Sequence, residues 1–298
     1  MSDNTNPSTQ LPHPMISSGD SLKASMEFHI KIDSDNTLAA PFLAERTKLP
    51  LSQIKLAMKK GAVWLSDKNG VSRIRRAKKA LANGTTLHFY FDQSVLSAEI
   101  PRPKLISDEE SYSIWFKPRG VLCQGSKWGD HCTIHRWIES NDSKQRPAMI
   151  VHRLDRAACG LIMIAHSKLM TQNLSDLFKQ RLIEKKYKAI VFGEFPNHAD
   201  PITINSEIEG RHACSKIERL EYCPEKNLSL LEVNIETGRK HQIRRHLSEH
   251  GFPIHGDRLY GGGDSVDLQL AAVFLKFKCP LTTQLKEFQL PKELQPNL

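Results

Sequence analysis

The sequence lacks the features of membrane, secreted and disulfide-rich proteins. No stretch approaches the run of about 18 uncharged apolar residues that would span a bilayer, and the mean hydropathy is −0.43. Residues 1–25 show no basic segment followed by an apolar one, so we expect no secretory signal. The 298 residues include only six cysteines, which are too few for a disulfide scaffold. These absences predict a soluble protein of the reducing cytoplasm, and without a coiled-coil pattern we expect a monomer.

Metal-binding patterns are missing as well. Cys123, Cys132 and His135 lie close together in the sequence, and four further histidines fall between positions 241 and 255. Neither group has the spacing Cys-x-x-Cys or His-Glu-x-x-His. We therefore expect no metal ion in this protein.

Acidic residues are nearly absent from one segment, which gives the chain a local positive charge. The whole chain has 42 Lys and Arg against 33 Asp and Glu, a net charge of +9, and residues 55–79 alone carry +8. The basic residues there are Lys55, Lys59, Lys60, Lys68, Arg73, Arg75, Arg76, Lys78 and Lys79. An excess this local predicts a surface that binds a polyanion. A solvated helix face is the alternative, whereas an anionic membrane is disfavoured because no helix with a Trp, Phe or Leu face accompanies the charges.

Composition and hydrophobic pattern divide the chain into four parts. Residues 1–25, rich in Ser, Thr, Asn and Pro, predict a disordered tail. Residues 26–94 predict a small folded unit, and residues 95–104, with two prolines, predict an extended linker. Residues 105–298 predict a strand-rich α+β domain. The predicted strands cover residues 62–65, 86–91, 113–117, 161–165, 186–193 and 228–236, and one helix is predicted over 240–249.

A cluster of charged residues precedes the predicted buried strand 161–165. Residues 151–160 read VHRLDRAACG, which places the Asp155 carboxylate among His152, Arg153 and Arg156. Neighbouring positive charge favours the ionised carboxylate. Taken alone, this block is equally consistent with a structural ion pair at a strand end.

A second charged block lies at residues 236–247, which read ETGRKHQIRRHL. Gly238 is expected to turn the chain from strand to helix, and Lys240, Ile243, Arg244 and Leu247 are expected to share one helix face. Cations in the first turn of a helix are disfavoured by the helix dipole. Their presence predicts an anionic partner, either a phosphate or Asp155, and a solvated basic face is the alternative.

These two blocks and three others, in the same order along the chain, resemble the RluA-type pseudouridine synthases. The family pattern comprises Lys-Pro-x-Gly, His-Arg-Leu-Asp, Glu-Lys-x-Tyr, Gly-Arg-x-His-Gln-Ile-Arg-x-His and Gly-Asp-x-x-Tyr-Gly. The corresponding residues are 117–120, 152–155, 184–187, 238–246 and 256–261. The resemblance covers about residues 105–298. It implies a catalytic domain with a curved, mixed, mostly antiparallel sheet.

The basic segment resembles a companion of that family, a small αL-type RNA-binding module that is shared with a small-subunit ribosomal protein. Residues 42–46, 53–61, 63 and 65 follow its helix-helix-strand pattern, although its usual acidic residue is missing near residues 39–41. Taken with the two resemblances, the local charge excess and the basic block at 238–246 predict RNA-binding residues: Lys55, Lys59, Lys60, Arg73, Arg75, Arg76, Lys78, Lys79, Arg239, Lys240 and His241.

The same resemblance implies the reaction and the roles of individual residues. Uridine in ribosomal or transfer RNA would be converted to pseudouridine without a cofactor. Asp155 would act as the nucleophile or as the base that removes a ribose proton. Arg153 would fill the space left by the flipped nucleotide, Tyr187 would stack on the uracil and Ile243 would pack beside it. Arg244 would pair with Asp155.

The chain departs from the family pattern at residues 157–159. Ala157, Ala158 and Cys159 stand where the family usually has a polar residue, Thr and Ser. Loss of two hydroxyls near the catalytic turn raises the alternative of an inactive RNA-binding or RNA-assembly protein that retains the fold. An RNA-cleaving hydrolase is a weaker alternative, since no paired carboxylates or two-histidine site stand out. Cys159 has no assigned base and is not expected to be a nucleophile.

The charge distribution generates a prediction about salt. Because the basic segment and the catalytic domain are both expected to contact phosphate, affinity for structured RNA should fall steeply as salt concentration rises. Filter binding over a series of salt concentrations measures this slope. A flat profile would contradict the assignment of the basic segment to RNA.

Overall fold

The computed structural model of this chain describes residues 25–261 and 265–298. The predicted disordered tail therefore lies outside the described residues except for Ser25. Two units, each with its own sheet and its own buried core, follow one another along the chain. The boundaries inferred from the sequence, at 94 and 105, remain a prediction.

The N-terminal unit is built around a four-stranded antiparallel sheet. In chain order its elements are β1 (Met26–Lys31), β2 (Thr37–Leu38), α1 (Ala39–Thr47), α2 (Leu51–Lys59), β3 (Val63–Asp67), β4 (Gly70–Arg73), β5 (Ala80–Leu81), β6 (Thr86–Phe91) and α3 (Gln93–Ser97). The sheet has the order β1-β6-β3-β4. Helix α2 buries Ile54, Ala57 and Met58, the spacing of an amphipathic helix. Strand β6 buries Leu87 and Phe89 in alternation, so one face of the sheet packs on the helices.

The second unit is built around a larger sheet. Its elements are β7 (Lys104–Asp108), β8 (Tyr112–Lys117), α4 (Ile134–Asn141), β9 (Met149–Ile150), β10 (Cys159–Ala165), α5 (Lys168–Lys179), β11 (Glu184–Phe192), β12 (Ile202–Ile208), β13 (Arg211–Cys223), β14 (Leu228–Ile235), α6 (Gln242–Glu249), β15 (Leu270–Lys278) and β16 (Leu285–Gln289). The strand order is β12-β13-β14-β11-β15-β10-β8-β7, with β16 beside β15 and β9 beside β10. Strands β10 and β15 are parallel, and the other pairs are antiparallel. This confirms the α+β class with a mixed, mostly antiparallel sheet.

Strand β15 occupies a central position although it comes late in the chain. It pairs with β11 on one side and with β10 on the other. Its residues Ala271, Ala272 and Val273 are buried. The strand therefore joins the half of the sheet that contains β8 and β10 to the half that contains β11 and β14.

The strands lie close to their predicted positions. Strand β6 has the predicted bounds, and β3, β8, β10, β11 and β14 differ from the predictions by one or two residues at their ends. The predicted linker is shorter than expected, because its first residues belong to α3. The Asp92 carboxylate caps this helix by accepting a hydrogen bond from the backbone N–H of Val95 at 3.1 Å.

The predicted start of the helix at residue 240 is wrong. Helix α6 begins at Gln242, because the preceding residue, His241, is left-handed with φ +56° and breaks the helical path. Lys240 therefore does not share a helix face with Arg244. Ile243, Arg244 and Leu247 are on the helix and are buried.

Gly160 in β10 generates a prediction about stability. Its φ is +118°, and a Cβ atom there would overlap the backbone of Ala272 in β15. We expect Gly160→Ala to lower the free energy of unfolding by at least about 2 kcal/mol, because a disfavoured backbone conformation is combined with a backbone clash. Urea unfolding followed by circular dichroism measures the change.

Gly210 supplies the matched control. Its φ is +70°, and nothing lies within 4 Å of the position that a Cβ would occupy. Gly210→Ala should cost only about 1 kcal/mol, the backbone contribution alone. Equal losses in the two variants would show that the approach of β10 to β15 does not require glycine.

Candidate active site

A buried lysine holds the turn that carries Asp155. Lys117 ends β8 and has no exposed surface. Its Nζ donates hydrogen bonds to the backbone carbonyls of Pro118 at 3.0 Å, Val121 at 3.0 Å and Ala158 at 2.7 Å. Burial lowers the pKa of Lys117 to about 8, and the three carbonyls accept all three protons of its ammonium group. Lys117, in the first family block, is thus bonded to Ala158, which follows the second block.

A second connection joins the same two blocks. Arg156 Nε donates to the Gly120 carbonyl at 3.3 Å, and the Gly120 N–H donates to the Arg156 carbonyl at 2.8 Å. The turn is therefore held without the two hydroxyls that are missing at 157–159. Cys159 is buried, and burial raises the pKa of its thiol, which opposes a nucleophilic role.

The residues that the sequence predicted to surround Asp155 are not the ones that the structure places beside it. The His152 ring stacks on Phe178 at 4.4 Å, and its Nε2 accepts a hydrogen bond from the Met163 N–H at 3.0 Å. Burial lowers the pKa of His152 to about 3, so the ring is neutral. Arg153 is exposed and donates to Gln124 Oε1 at 2.8 Å. The expectation that His152, Arg153 and Arg156 surround Asp155 is wrong, because their side chains are engaged elsewhere.

The residues that face Asp155 come from the second charged block. Arg244 Nη1 lies 3.6 Å from Asp155 Oδ2, and His241 Nε2 lies 3.8 Å from Asp155 Oδ1. The Arg244 side chain is 5% exposed and the Asp155 side chain 26% exposed. The structure thus brings Asp155 and Arg244 together, and one edge of the carboxylate remains open to solvent.

Asp257 is the residue that the sequence reasoning missed. Its fully buried carboxylate accepts hydrogen bonds from Arg244 Nε and Nη2, both at 2.7 Å. It also accepts from the backbone N–H groups of Leu259 at 3.0 Å and Tyr260 at 3.1 Å. Burial, the largest single effect, would raise the pKa of Asp257, but the hydrogen bonds and charge of Arg244 together with the two backbone N–H groups outweigh it and lower the pKa. This bidentate pair leaves Nη1 of Arg244 directed at Asp155. Asp257 belongs to the family block 256–261, and its place in that block is the sequence signal that could have identified it.

His241 is held by the same loop. Its Nδ1 lies 3.0 Å from the Tyr260 hydroxyl, and the two rings meet edge to face. Burial lowers the pKa of His241 despite the opposite effect of Asp155. When the Tyr260 hydroxyl donates to Nδ1, the neutral ring carries its proton on Nε2 and presents an N–H group to Asp155. The loop therefore orients both residues that face the carboxylate.

Asp155, His241 and Arg244 line a cavity of about 480 Å³, whose wall also includes Tyr187 and Ile243. Such a volume is in the range of small-ligand pockets. Tyr187 lies in β11, and burial raises the pKa of its hydroxyl, so that it stays protonated. The cavity wall is also basic, through Lys179, Arg181, Lys185, Arg239 and Lys240. An anion that enters thus meets an aromatic ring, an apolar side chain and positive charge around one carboxylate.

The basic residues of the N-terminal unit divide into two groups. Lys55, Lys59, Lys68, Arg76, Lys78 and Lys79 are exposed. Lys60, Arg73 and Arg75 are half-buried, and both arginines are ion-paired with Asp130 of the second unit. Arg73 and Arg75 thus form a contact between the two units, and their assignment to RNA stays a prediction.

Two further findings concern only the described residues. In residues 25–261 and 265–298, no group of three or more His, Cys, Asp or Glu is arranged to hold a metal ion. Within the same ranges, no helix has the length and apolarity needed to cross a membrane. All six cysteines are free thiols.

Comparisons with known proteins identify relatives of this chain. A family model described as RNA pseudouridylate synthase matches residues 111–249. The uncharacterized RNA pseudouridine synthase YlyB of Bacillus subtilis is 29% identical over 220 residues, 68% of each chain. An RNA pseudouridine synthase of Aquifex aeolicus is 28% identical over 264 residues, 80% of this chain and 82% of the relative. Ribosomal large subunit pseudouridine synthase C of Rickettsia bellii is 29% identical over 195 residues, 61% of this chain and 64% of the relative.

A solved structure shows the same fold. Human RNA pseudouridylate synthase domain containing 1 superposes with a TM-score of 0.55 at 20% sequence identity, over 67% of this chain and 87% of the human one. This likeness concerns the fold alone.

The ion pair of Arg244 and Asp257 generates a prediction about stability. Asp257→Asn should lower the free energy of unfolding by about 3–5 kcal/mol, because it leaves a buried guanidinium without its counter-charge. Glu249→Gln is the matched control, since Glu249 pairs at 3.3 Å with Arg245, the next residue of the same helix, but on the exposed surface. That change should cost about 0.3–0.5 kcal/mol. Similar urea midpoints for the two variants would contradict a structural role for Asp257.

Proposed function

Because this chain belongs to the RluA-type RNA pseudouridine synthases, we propose that it isomerises specific uridines of ribosomal or transfer RNA with Asp155 as the reacting carboxylate. The observation that carries this proposal is the placement of Asp155 in the cavity, 3.6 Å from Arg244 and 3.8 Å from His241. No other carboxylate among the cavity residues combines this exposure with two such neighbours: Glu236 is exposed and pairs with Lys216 at 2.8 Å.

The reaction conserves every atom of the uridine. The bond between ribose C1′ and uracil N1 breaks, a bond between C1′ and uracil C5 forms, and the proton leaves C5 while N1 gains one. No oxidant or group donor is needed, which agrees with the expectation of no cofactor. Asp155 acts either as a nucleophile at C1′ or as the base that removes a ribose proton. Both routes need an ionised carboxylate, and the Arg244 guanidinium lies 3.6 Å from it.

The detached uracil must stay in the cavity while it rotates. Tyr187 offers an aromatic face on which the base stacks, and Ile243 packs beside it. Both side chains leave the ring free to turn, because stacking and apolar contact are less directional than hydrogen bonding. Burial keeps the Tyr187 hydroxyl protonated, so the stacking face carries no negative charge near Asp155.

The target uridine has to leave its helix, which costs a few kcal/mol. Arg153 is exposed and lies two residues before Asp155, so we assign it to the space that the nucleotide leaves. The exposed lysines of the N-terminal unit and the basic residues of the cavity wall contact the flanking phosphates. The name of the Rickettsia relative favours large-subunit ribosomal RNA among the possible targets.

The alternative of an inactive RNA-binding protein rested on residues 157–159. The family of this chain disfavours this alternative. The hydrogen bonds of Lys117 and Arg156 also disfavour it, because they hold the turn without the missing hydroxyls.

Pseudouridine mapping tests the proposal. Total RNA is mapped from cells that lack the protein and from the same cells supplied with the intact protein, Asp155→Ala or Glu249→Gln. We expect at least one uridine that is modified with the intact protein and with Glu249→Gln, and unmodified with Asp155→Ala, because only Asp155 reaches the ribose. Modification that persists with Asp155→Ala would remove Asp155 from the mechanism, and no dependent site at all would overturn the proposed function.

A further inference from the structure

The N-terminal unit is in direct contact with one loop of the second unit. We call residues 124–130 the docking loop. The Asp130 N–H donates to the Lys60 carbonyl at 3.0 Å, and Trp64 Nε1 donates to the Lys127 carbonyl at 3.0 Å. Arg73 Nη2 donates to the Ser126 carbonyl. The loop thus bonds to the turn after α2 and to both strands β3 and β4.

A buried ion pair lies at the centre of this contact. The Asp130 side chain is 4% exposed, and its Oδ2 lies 3.2 Å from Arg73 Nη1 and 2.5 Å from Arg75 Nη2. The Arg73 guanidinium also stacks on the Trp64 ring, 4.1 Å from its centre. A carboxylate this deeply buried is stabilised only by its paired cations, because nothing else compensates for its loss of hydration. Separation of the units would remove the counter-charges of Asp130, Arg73 and Arg75.

Two glycines permit this approach. A Cβ on Gly61, in the N-terminal unit, would overlap Asp130 Oδ1. A Cβ on Gly125, in the docking loop, would overlap the Asp130 Cβ. Because neither glycine has a side chain, the Asp130 side chain fits between the N-terminal unit and the docking loop. The two surfaces are therefore complementary in shape at this point.

A second contact lies apart from the ion pair. Trp128 meets Tyr90 of β6 edge to face, with ring centres 5.7 Å apart. Lys127 Nζ lies 4.8 Å from the centre of the Tyr90 ring and 2.5 Å from Glu27 Oε2 in β1. Contacts to β1 and β6 as well as to β3 and β4 oppose rotation of one unit against the other.

The other end of the docking loop reaches the catalytic turn. Gln124 Oε1 accepts the hydrogen bond from Arg153 Nη1 at 2.8 Å. The adjacent Cys123 Sγ is 3.4 Å from both the N–H and the carbonyl oxygen of Leu154. Residues 153 and 154 directly precede Asp155, so one short loop contacts the N-terminal unit at Asp130 and the active site at Gln124.

We propose that the docking loop fixes the RNA-binding module to the catalytic domain and couples its position to Arg153, with Asp130 and Gln124 as positioning residues. The module and the cleft then form one rigid RNA-binding surface. Arg73 and Arg75 contribute to it by holding the module and not by contacting phosphate. The catalytic part of this proposal rests on the proposed function, whereas the docking itself does not.

Amide hydrogen exchange of the full chain tests the docking without RNA. Asp130→Asn should speed exchange of the backbone amides at residues 61–65 and 124–133, and leave β10 and β11 as protected as before. Asp142→Asn is the matched control, because Asp142 also pairs with an arginine, Arg146 at 3.0 Å, but within the second unit. Trp128→Ala removes the second contact, between Trp128 and Tyr90, and should speed exchange of the same amides. This variant tests the docking if Asp130→Asn does not fold. Identical exchange in the intact protein and in the folded variants at 130 and 128 would overturn the docking.

Kinetics on two RNA probes test the coupling. One probe is ribosomal RNA from cells that lack the protein, and the other is a short stem-loop that carries only the mapped uridine. Asp130→Asn should raise KM for the long RNA about tenfold with little change in kcat, and should slow the stem-loop reaction much less, because only the link from the docking loop to Arg153 acts on the short RNA. Gln124→Ala should slow both reactions, because Arg153 loses its partner on either RNA.

The outcomes separate the two proposals. Faster exchange together with unchanged KM for the long RNA would retain the docking and overturn the coupling. Failure of the intact protein to modify either RNA would count against the proposed function, and the exchange result would still decide the docking.

Discussion

The bidentate ion pair between Arg244 and Asp257 is the interaction on which the active site depends. Asp257 accepts two hydrogen bonds from one side of the guanidinium, so that a single N–H edge of Arg244 remains for Asp155. The same loop supplies the Tyr260 hydroxyl, which orients His241. Without Asp257, the Arg244 guanidinium would be a buried charge whose orientation is not fixed. With it, the arginine that faces the Asp155 carboxylate is held in one orientation by a second, fully buried carboxylate.

The sequence predicted the strands and the convergence of the family blocks well, because both depend on local pattern and order. Apart from Arg244 facing Asp155, which the family resemblance implied, it did not predict which charges pair. His152 looked like a cation beside Asp155, but it is neutral because its ring is buried against Phe178. Arg73 and Arg75 looked like RNA contacts, but their partner, Asp130, lies more than fifty residues further along the chain. Pairing at such separations is decided by tertiary structure, which composition and spacing do not encode.

Buried charge is used for positioning at three places in this protein. Lys117 donates to three carbonyls that flank the turn with Asp155, Arg244 pairs with Asp257, and Asp130 pairs with two arginines between the units. Each of these groups has hydrogen-bonding partners, which offset the loss of water. An apolar residue could fill the same volumes, but it could not specify a direction. The directional demand of an ionised group is what these positions share.

The central place of β15 has a consequence for synthesis of the protein. Strands β8 and β10 on one side, and β11 and β14 on the other, are made first, yet the strand between them spans Leu270–Lys278. Asp257 also follows Asp155 by about a hundred residues, so a growing chain carries an incomplete cleft until this later segment has been synthesised. Since strand pairing between distant segments is slow, the two half-sheets expose unpaired edges during this interval. The cleft around Asp155 is therefore completed only after Asp257 and β15 have been synthesised.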